Sequence, residues 1–333
     1  MKSNFLPLFK FPTSIALIDD DALFVKSSAE YLLTLSDKFK INIYTSAEPV
    51  LSKLKNYDNL VDYIKPIMPN YRENDAKFTL EFDLKQIFNN IDYSDIITVI
   101  VVDYDMPSMD GITFLEKIKD LKIYKILLTG VADESKAIEA FNRGIINCYL
   151  KKDEKKLFSN LYNKIIEGQD AVFSDATNAL AYTICQTELN TLLENEGYKE
   201  IVNHYIEKHN IIYYKVLDET GSYYMRSRKK EYILYIIPEK KNNALVECIR
   251  DSIVDKNLNK GSLKKLLVKL KNNEVIVFDK LIYSEELDMM EIEHFCKKSK
   301  LYKANDKIYY YYFSDNIFSI KGKKQYHVNT NTL

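Results

Sequence analysis

Four short sets of residues in the first half of the chain have the types and the order that phosphoryl transfer demands. Asp19, Asp20 and Asp21 follow the apolar run 14–18. Asp103 ends the run 97–102, with Asp105 two positions on and a turn, Met106-Pro107 to Asp110-Gly111, behind it. Thr129-Gly130 closes the run 125–128, and Lys151-Lys152 follows Cys148, Tyr149 and Leu150. A carboxylate can attack phosphorus, other carboxylates can hold a hard cation, and an ammonium can neutralise the transferring group. Each set alone is ordinary: acids at a strand end are often a solvated cap, Thr-Gly is usually a turn, and a lysine pair is usually surface. Their order along the chain, IDDD, VVDYDMPSMDG, LLTG, YLKK, is the informative feature.

These sets need elements that bring them together. Short β-branched runs bounded by turn residues predict strands buried on both faces of a parallel sheet. A further strand is expected over residues 41–44. Helices are expected from the spacing of Leu23, Phe24, Ser27, Tyr31, Leu32 and Leu35, over 113–121, over 135–142 with Gly144 as a left-handed cap, and from Asp153 onward. The alternation predicts an α/β domain with a doubly wound, five-stranded parallel sheet of flavodoxin-like order. In such a sheet every strand's carboxyl end lies on one edge. Asp20 and Asp103 can then hold Mg2+, with the backbone carbonyl of Asp105 as a third oxygen ligand and Asp19 in support. The Asp103 carboxylate would become an acyl phosphate, and Thr129 would hydrogen-bond a phosphoryl oxygen afterwards.

Asp20 and Asp103 lie 83 positions apart, far more than one crossover between parallel strands requires. Residues 52–95 therefore read as an insertion, with helical pieces at 50–54 and 80–91 and loop at 66–70 and 72–77.

The ordered set resembles the receiver domain of two-component response regulators, over residues 13–170. The resemblance implies that Asp103 is the phosphorylated residue, that Asp19, Asp20 and the Asp105 carbonyl form the Mg2+ site, that Thr129 is the switch hydroxyl and that Tyr149 is the switch aromatic. It also implies a phosphate-contacting lysine. Matching the family's YLxK pattern gives Lys152, which is preferred because it also puts Tyr149 at the switch position; counting on from Gly144 gives Lys151 as the alternative. The proline that usually follows is absent, and Asp153 stands in its place. The implied partners are a sensor histidine kinase or a phosphotransfer protein, and a second copy of the chain in a phosphorylation-dependent homodimer.

The second half carries less chemistry. Residues 1–12 and 327–333 read as tails, 171–200 as a helical connector and 201–326 as an α+β output domain. Strands are expected over 211–217, 222–225 and 231–237 as an antiparallel meander, then over 275–278 and 308–313. Helices are expected over 245–254, 263–270 and 284–296. No P-loop, GxGxxG or catalytic constellation is visible there, so no separate enzymatic output is expected. The sequence YYKVLDETGSYYM, taken with the insertion and the long connector, resembles a group of proteobacterial response regulators with a shared C-terminal domain. That likeness implies signal output and assigns no output residues.

Composition bounds the rest. The chain has 333 residues, 46% hydrophobic, enough for two packed domains. No apolar run approaches the length of a membrane span. Cys148, Cys185, Cys248 and Cys296 form no CxxC pair, which fits reduced thiols in a cytoplasm. Residues 197–333 hold 25 Lys and Arg against 18 Asp and Glu, a net +7, leaving −8 for residues 1–196. The asymmetry permits nucleic acid as a partner of the second half, and Lys260, Lys264, Lys265, Lys269 and Lys271 would make one basic helix. Ordinary solvated faces are the commoner meaning of such charge.

Overall fold

The computed structural model describes residues 6–36, 38–55, 57, 60, 95–130, 133–184, 188–217, 220–255, 260–272, 274–277, 296–304 and 306–315. The chain divides into two compact units, Met1–Gln186 and Thr187–Leu333.

The first unit has strands β1 (Phe9–Lys10), β2 (Thr13–Ile18), β3 (Phe39–Tyr44), β4 (Ile97–Asp103), β5 (Tyr124–Thr129) and β6 (Cys148–Lys151). Five of these form a parallel sheet in the order β3-β2-β4-β5-β6. Its helices are α1 (Ala22–Leu35), α2 (Glu48–Leu54), α3 (Gly111–Lys117), α4 (Glu134–Asn142) and α5 (Leu157–Ile184). Both sheet faces are covered, which is why β2 and β4 are apolar without alternation. Ala16, Ile18, Ile100 and Val102 pack with Val50, Phe114, Leu115 and Ala137 on one face. Ile15, Leu17, Val99 and Val101 pack with Val25, Leu32, Leu161 and Ile165 on the other.

Local signals set the helix ends. The Asp21 carboxylate caps α1 by accepting from the N–H groups of Leu23 and Phe24, and Asp110 caps α3 by accepting from Thr113 N–H. Gly144, at φ +68°, ends the α4 segment as expected. Its N–H donates to Phe141 O at 3.0 Å, and Ile145 N–H donates to Ala140 O at 2.9 Å.

One feature of this unit differs from the sequence reading. Within the expected tail 1–12, Leu6, Leu8, Phe9 and Phe11 are buried. Phe9 and Phe11 meet Phe173 edge-on, Leu8 N–H donates to Thr177 Oγ1 at 3.0 Å, and Lys10 pairs with Asp170. Apolar residues at 6, 8, 9 and 11 thus find a face on α5 that a local reading of the segment could not supply. Helix α5 is a single 28-residue helix that continues past residue 170 into the segment read as connector. Of the insertion, α2 accounts for 50–54; the helix expected over 80–91 and the loops at 66–70 and 72–77 lie outside the described residues.

The second unit has α6 (Glu188–Glu194), α7 (Glu196–Lys208), β7 (Tyr213–Val216), β8 (Tyr223–Arg226), β9 (Glu231–Pro238), α8 (Glu239–Asp255), α9 (Lys260–Lys271), β10 (Val275–Val277), β11 (Cys296–Lys298), β12 (Lys300–Ala304) and β13 (Lys307–Ser314). The meander β7-β8-β9 is present, and β13 pairs antiparallel with β9 and with β12. Strands β10 and β11 form a separate antiparallel pair. This is an α+β unit. Strands β11 and β12 were not expected, because their lysine-rich sequence lacks an apolar period. The helix expected over 284–296 lies outside the described residues except for Cys296, which begins β11, and the tail 327–333 lies wholly outside them. No described helix is long and apolar enough to cross a membrane.

Candidate functional site

Sheet register brings the four sequence sets to one edge. Ile18 lies beside Val102, Asp103 beside Leu128, and Thr129 beside Lys151. The residues at or just past these positions are Asp19, Asp20, Asp103, Thr129 and Lys152. Asp19 and Asp103 are buried, at 2% and 5% exposure, while Asp20 is exposed. One carboxylate oxygen from each of the three lies within 4.8 Å of the others. The Asp19 Oδ1 atom accepts from Asp21 N–H at 3.0 Å, which fixes the carboxylate's orientation.

The two candidate lysines have different partners. Lys152 Nζ stands 2.8 Å from Asp19 Oδ2 and 2.8 Å from Asp103 Oδ1. It also lies 4.9 Å from the centre of the Phe24 ring. Lys151 Nζ instead pairs with Glu134 Oε2 at 2.7 Å. Successive residues at a strand end point to opposite sides, so only one of the pair can face the carboxylates. The Lys152 N–H donates to Thr129 O at 3.0 Å, so the segment keeps its place beside β5 without a following proline.

Burial raises the pKa of Asp19 above its ordinary value, against the opposing pull of Lys152. Burial raises that of Asp103 too; the Asp19 charge adds to the effect and Lys152 opposes it. For Lys152, burial works against the charged form, but its hydrogen bonds to Asp103 and Asp19 outweigh it and the ammonium is held above the usual lysine value. The two acids and the lysine form one cluster in which each charge depends on the others.

The remaining predicted residues sit around this centre. Thr129 is fully buried and its hydroxyl donates to Gly130 O at 3.0 Å. Tyr149 is half-buried and packs on the α2/α3/α4 side of the sheet. Asp105 is exposed in the segment after β4. The side chain bonded to the Asp103 carboxylate is that of Lys152.

Several residues with a place at this edge were missed. Phe24 was read only as part of a helical period, yet its ring flanks the Lys152 ammonium. Gly111 was read only as a turn. A Cβ there would overlap the Asp103 carbonyl oxygen and press on Leu127, and Gly111 N–H donates to Tyr104 O at 2.8 Å. The glycine lets α3 begin directly against the end of β4. Tyr104, Glu134 and Lys136 carry no sequence signal and are found only by proximity.

The donor set consists of hard carboxylate oxygens, two of them buried and one open to solvent. That chemistry fits a small divalent cation that keeps part of its hydration shell.

Residues 77–162 match the family described as response regulator receiver domain. The match begins inside the insertion and so misses β2 and its acids, which the sheet nevertheless places beside β4. No curated protein matches the chain. Among solved structures, the Legionella pneumophila response regulator LqsR is similar at 23% identity and a TM-score of 0.68, over 95% of this chain and 90% of that one. A response regulator receiver domain protein from Clostridium thermocellum matches at 21% identity and a TM-score of 0.32, over 47% of this chain and 94% of that one. A receiver domain protein from Methanospirillum hungatei matches at 19% identity and a TM-score of 0.34, over 49% of this chain and 98% of that one. The likeness to LqsR covers both units and is one of fold. The first unit has the receiver fold, a five-stranded parallel sheet whose carboxyl edge gathers three acids, a threonine and a lysine, and residues 77–162 of it match the receiver family.

Proposed function

We propose that the chain is a response regulator switched by transfer of a phosphoryl group to Asp103. The observation that carries this reading is the Lys152 ammonium, 2.8 Å from each of two buried carboxylates, Asp19 and Asp103, at the carboxyl edge of the sheet. An Asp103 oxygen forms a bond to phosphorus as the donor's bond to phosphorus breaks. With a phosphohistidine donor the leaving imidazole nitrogen then takes up a proton. Lys152 neutralises charge on the phosphoryl oxygens while they lie between donor and acceptor. Asp19, Asp20, Asp103 and the backbone carbonyl of Asp105 are the groups that would hold Mg2+, which when bound supplies further positive charge to the same oxygens. Thr129 turns its hydroxyl from Gly130 O to the new phosphoryl group, and Tyr149 follows it inward.

The partners are a sensor histidine kinase or phosphotransfer protein, which donates, and a second copy of the chain, which pairs when Asp103 is modified. A mass-resolved measurement of oligomeric state with and without acetyl phosphate tests the pairing. The acceptor itself is tested by intact mass. In Mg2+ and acetyl phosphate the natural chain gains one phosphoryl group and releases acetate, and Asp103→Asn gains none. Equal gain by both would refute Asp103 as acceptor.

A second reading for the output unit, contact with nucleic acid, draws on α9, where Lys264, Lys265 and Lys269 are exposed along one helix.

A further inference from the structure

The chain neighbours of the acceptor and of the lysine are both tied to the first turns of one helix. Tyr104 follows Asp103, and its hydroxyl bonds Lys136 Nζ at 2.6 Å. Lys151 precedes Lys152, and its ammonium bonds Glu134 Oε2 at 2.7 Å. Glu134 and Lys136 both belong to α4. A third link runs through the backbone. Gly130 O accepts from the Thr129 hydroxyl at 3.0 Å and from Asp133 N–H at 3.4 Å, and Asp133 is the residue before α4, 3.7 Å from Lys136.

We infer that the Tyr104–Lys136 and Glu134–Lys151 pairs are a latch on the switch, resting on the reading of Asp103 as acceptor. To reach a phosphoryl group on Asp103, the Thr129 hydroxyl must leave Gly130 O, an acceptor it shares with the amino end of α4. Moving that backbone pulls on α4, and α4 is pinned from β4 by Tyr104 and from β6 by Lys151. The ties therefore favour the unmodified arrangement, and the modified one forms at their expense. The lysine pair divides its work: Lys152 serves the reacting centre, and Lys151 sets how readily the centre switches. Tyr104, Glu134, Lys136 and Lys151 are positioning residues, since their side chains bond one another and leave the Asp103 carboxylate to Lys152.

Each tie is partly open to solvent, with side-chain exposures of 57% for Lys136 and 33% for Lys151. Such pairs are weak enough to be broken by modification and strong enough to matter, shifting an equilibrium by about two- to fivefold each.

The test is the affinity of the full chain for beryllofluoride in Mg2+, a stand-in for the phosphoryl group that reads the equilibrium and not a rate. Lys136→Met and Glu134→Gln should each bind it about two- to fivefold more tightly than the natural chain. Glu134→Lys combined with Lys151→Glu re-forms the tie with reversed charge and should return the affinity toward the natural value, which lost packing would not do. Thermal melts of the same variants confirm that they fold. Variants that melt normally and bind no more tightly than the natural chain would remove the latch and leave the acceptor reading intact. Equal binding by the natural chain and Asp103→Asn would remove both.

Discussion

The two units solve the same packing problem with sheets of opposite kind, and among the described residues the first gathers unlike polar groups at one sheet edge. In the first, all five strands of the sheet run the same way, so the acids after β2 and at the end of β4, the threonine of β5 and the lysine after β6 share one edge. In the second, neighbouring strands run in opposite senses and successive strand ends alternate between two edges. Its buried polar groups serve local needs. Tyr198 OH donates to Gly221 O at 2.7 Å, Thr220 Oγ1 donates to Ile236 O at 2.7 Å, and Tyr310 OH donates to Glu239 Oε1 at 3.0 Å. The tyrosines are likewise committed to packing: Tyr223, Tyr235 and Tyr309 of the strands and Tyr198 of α7 are all fully buried. Convergence of chemistry thus follows from strand direction, while the density of polar side chains alone does not produce it.

Two glycines give the sharpest way to break that contrast. At Gly111 a methyl group would meet the backbone of Asp103 itself. Gly111→Ala should cost about 3 kcal/mol, the upper part of the overpacking range, because backbone cannot swing aside. It should also abolish phosphoryl uptake by moving the acceptor strand. At Gly221, φ is +83° and the added carbon would lie 2.7 Å from Tyr198 OH. Gly221→Ala should also destabilise, through a strained backbone and a displaced hydrogen bond, yet leave uptake at Asp103 unchanged. Melting curves and intact mass on both variants make the comparison. Loss of uptake in Gly221→Ala, or normal uptake in Gly111→Ala, would mean that the division of labour between the units is drawn wrongly.

How much was legible follows from where each signal resides. The parallel sheet was readable because burial on both faces writes itself into a continuous apolar run, as in residues 97–102. The acids, the threonine and the lysine pair were readable because strand ends fix their positions along the chain. The choice between Lys151 and Lys152 was harder. It depends on which way a side chain points at the end of β6, and a one-residue difference in the turn after Gly144 reverses that. The role of residues 6–11 depended on a partner more than 160 positions away on α5, which no local pattern reveals. Strands β11 and β12 were hidden for a related reason. Their sequence, CKKSKLYKA, exposes lysines along the strand, a composition that guards an edge against further pairing and erases the apolar period.

A second lysine of the first unit extends the comparison to charge. Lys125 is buried at the start of β5, where Nζ donates to Leu121 O at 2.9 Å and Lys119 O at 3.2 Å. Among the described residues no carboxylate bonds it, and burial pushes its pKa down to about 8, with nearby Lys122 adding to the effect. Lys152, with two carboxylates, is shifted the other way. The sign of the resulting pH dependence is definite. Below pH 8 both folded and unfolded chains keep the Lys125 proton, and the cost of the buried charge is constant. Between about 8 and the unfolded value near 10.5 the folded chain has released a proton that the unfolded chain still holds, so stability rises with pH. The stability difference between the natural chain and Lys125→Met should therefore climb by on the order of 2–3 kcal/mol across that window. Denaturant titrations at pH 7, 8, 9 and 10 on both proteins measure it. A flat difference would show that the two carbonyls suffice to hold the ammonium at no cost.

The smallest effect is expected where the charges converge on nothing. On α9, Leu266 and Leu270 are buried while Lys264, Lys265 and Lys269 face outward, and none of the three forms an ion pair among the described residues. Replacing all three with Gln should change stability by less than about 0.5 kcal/mol, as for other surface sites. The same variant decides what the net positive charge of this unit means. If α9 grips phosphates, the logarithm of duplex affinity against the logarithm of salt should lose about one unit of slope per lysine removed. A slope that does not move leaves α9 as a solvated face. The second unit would then act through its surface with another protein or a second copy, and the charge asymmetry between the halves would carry no recognition.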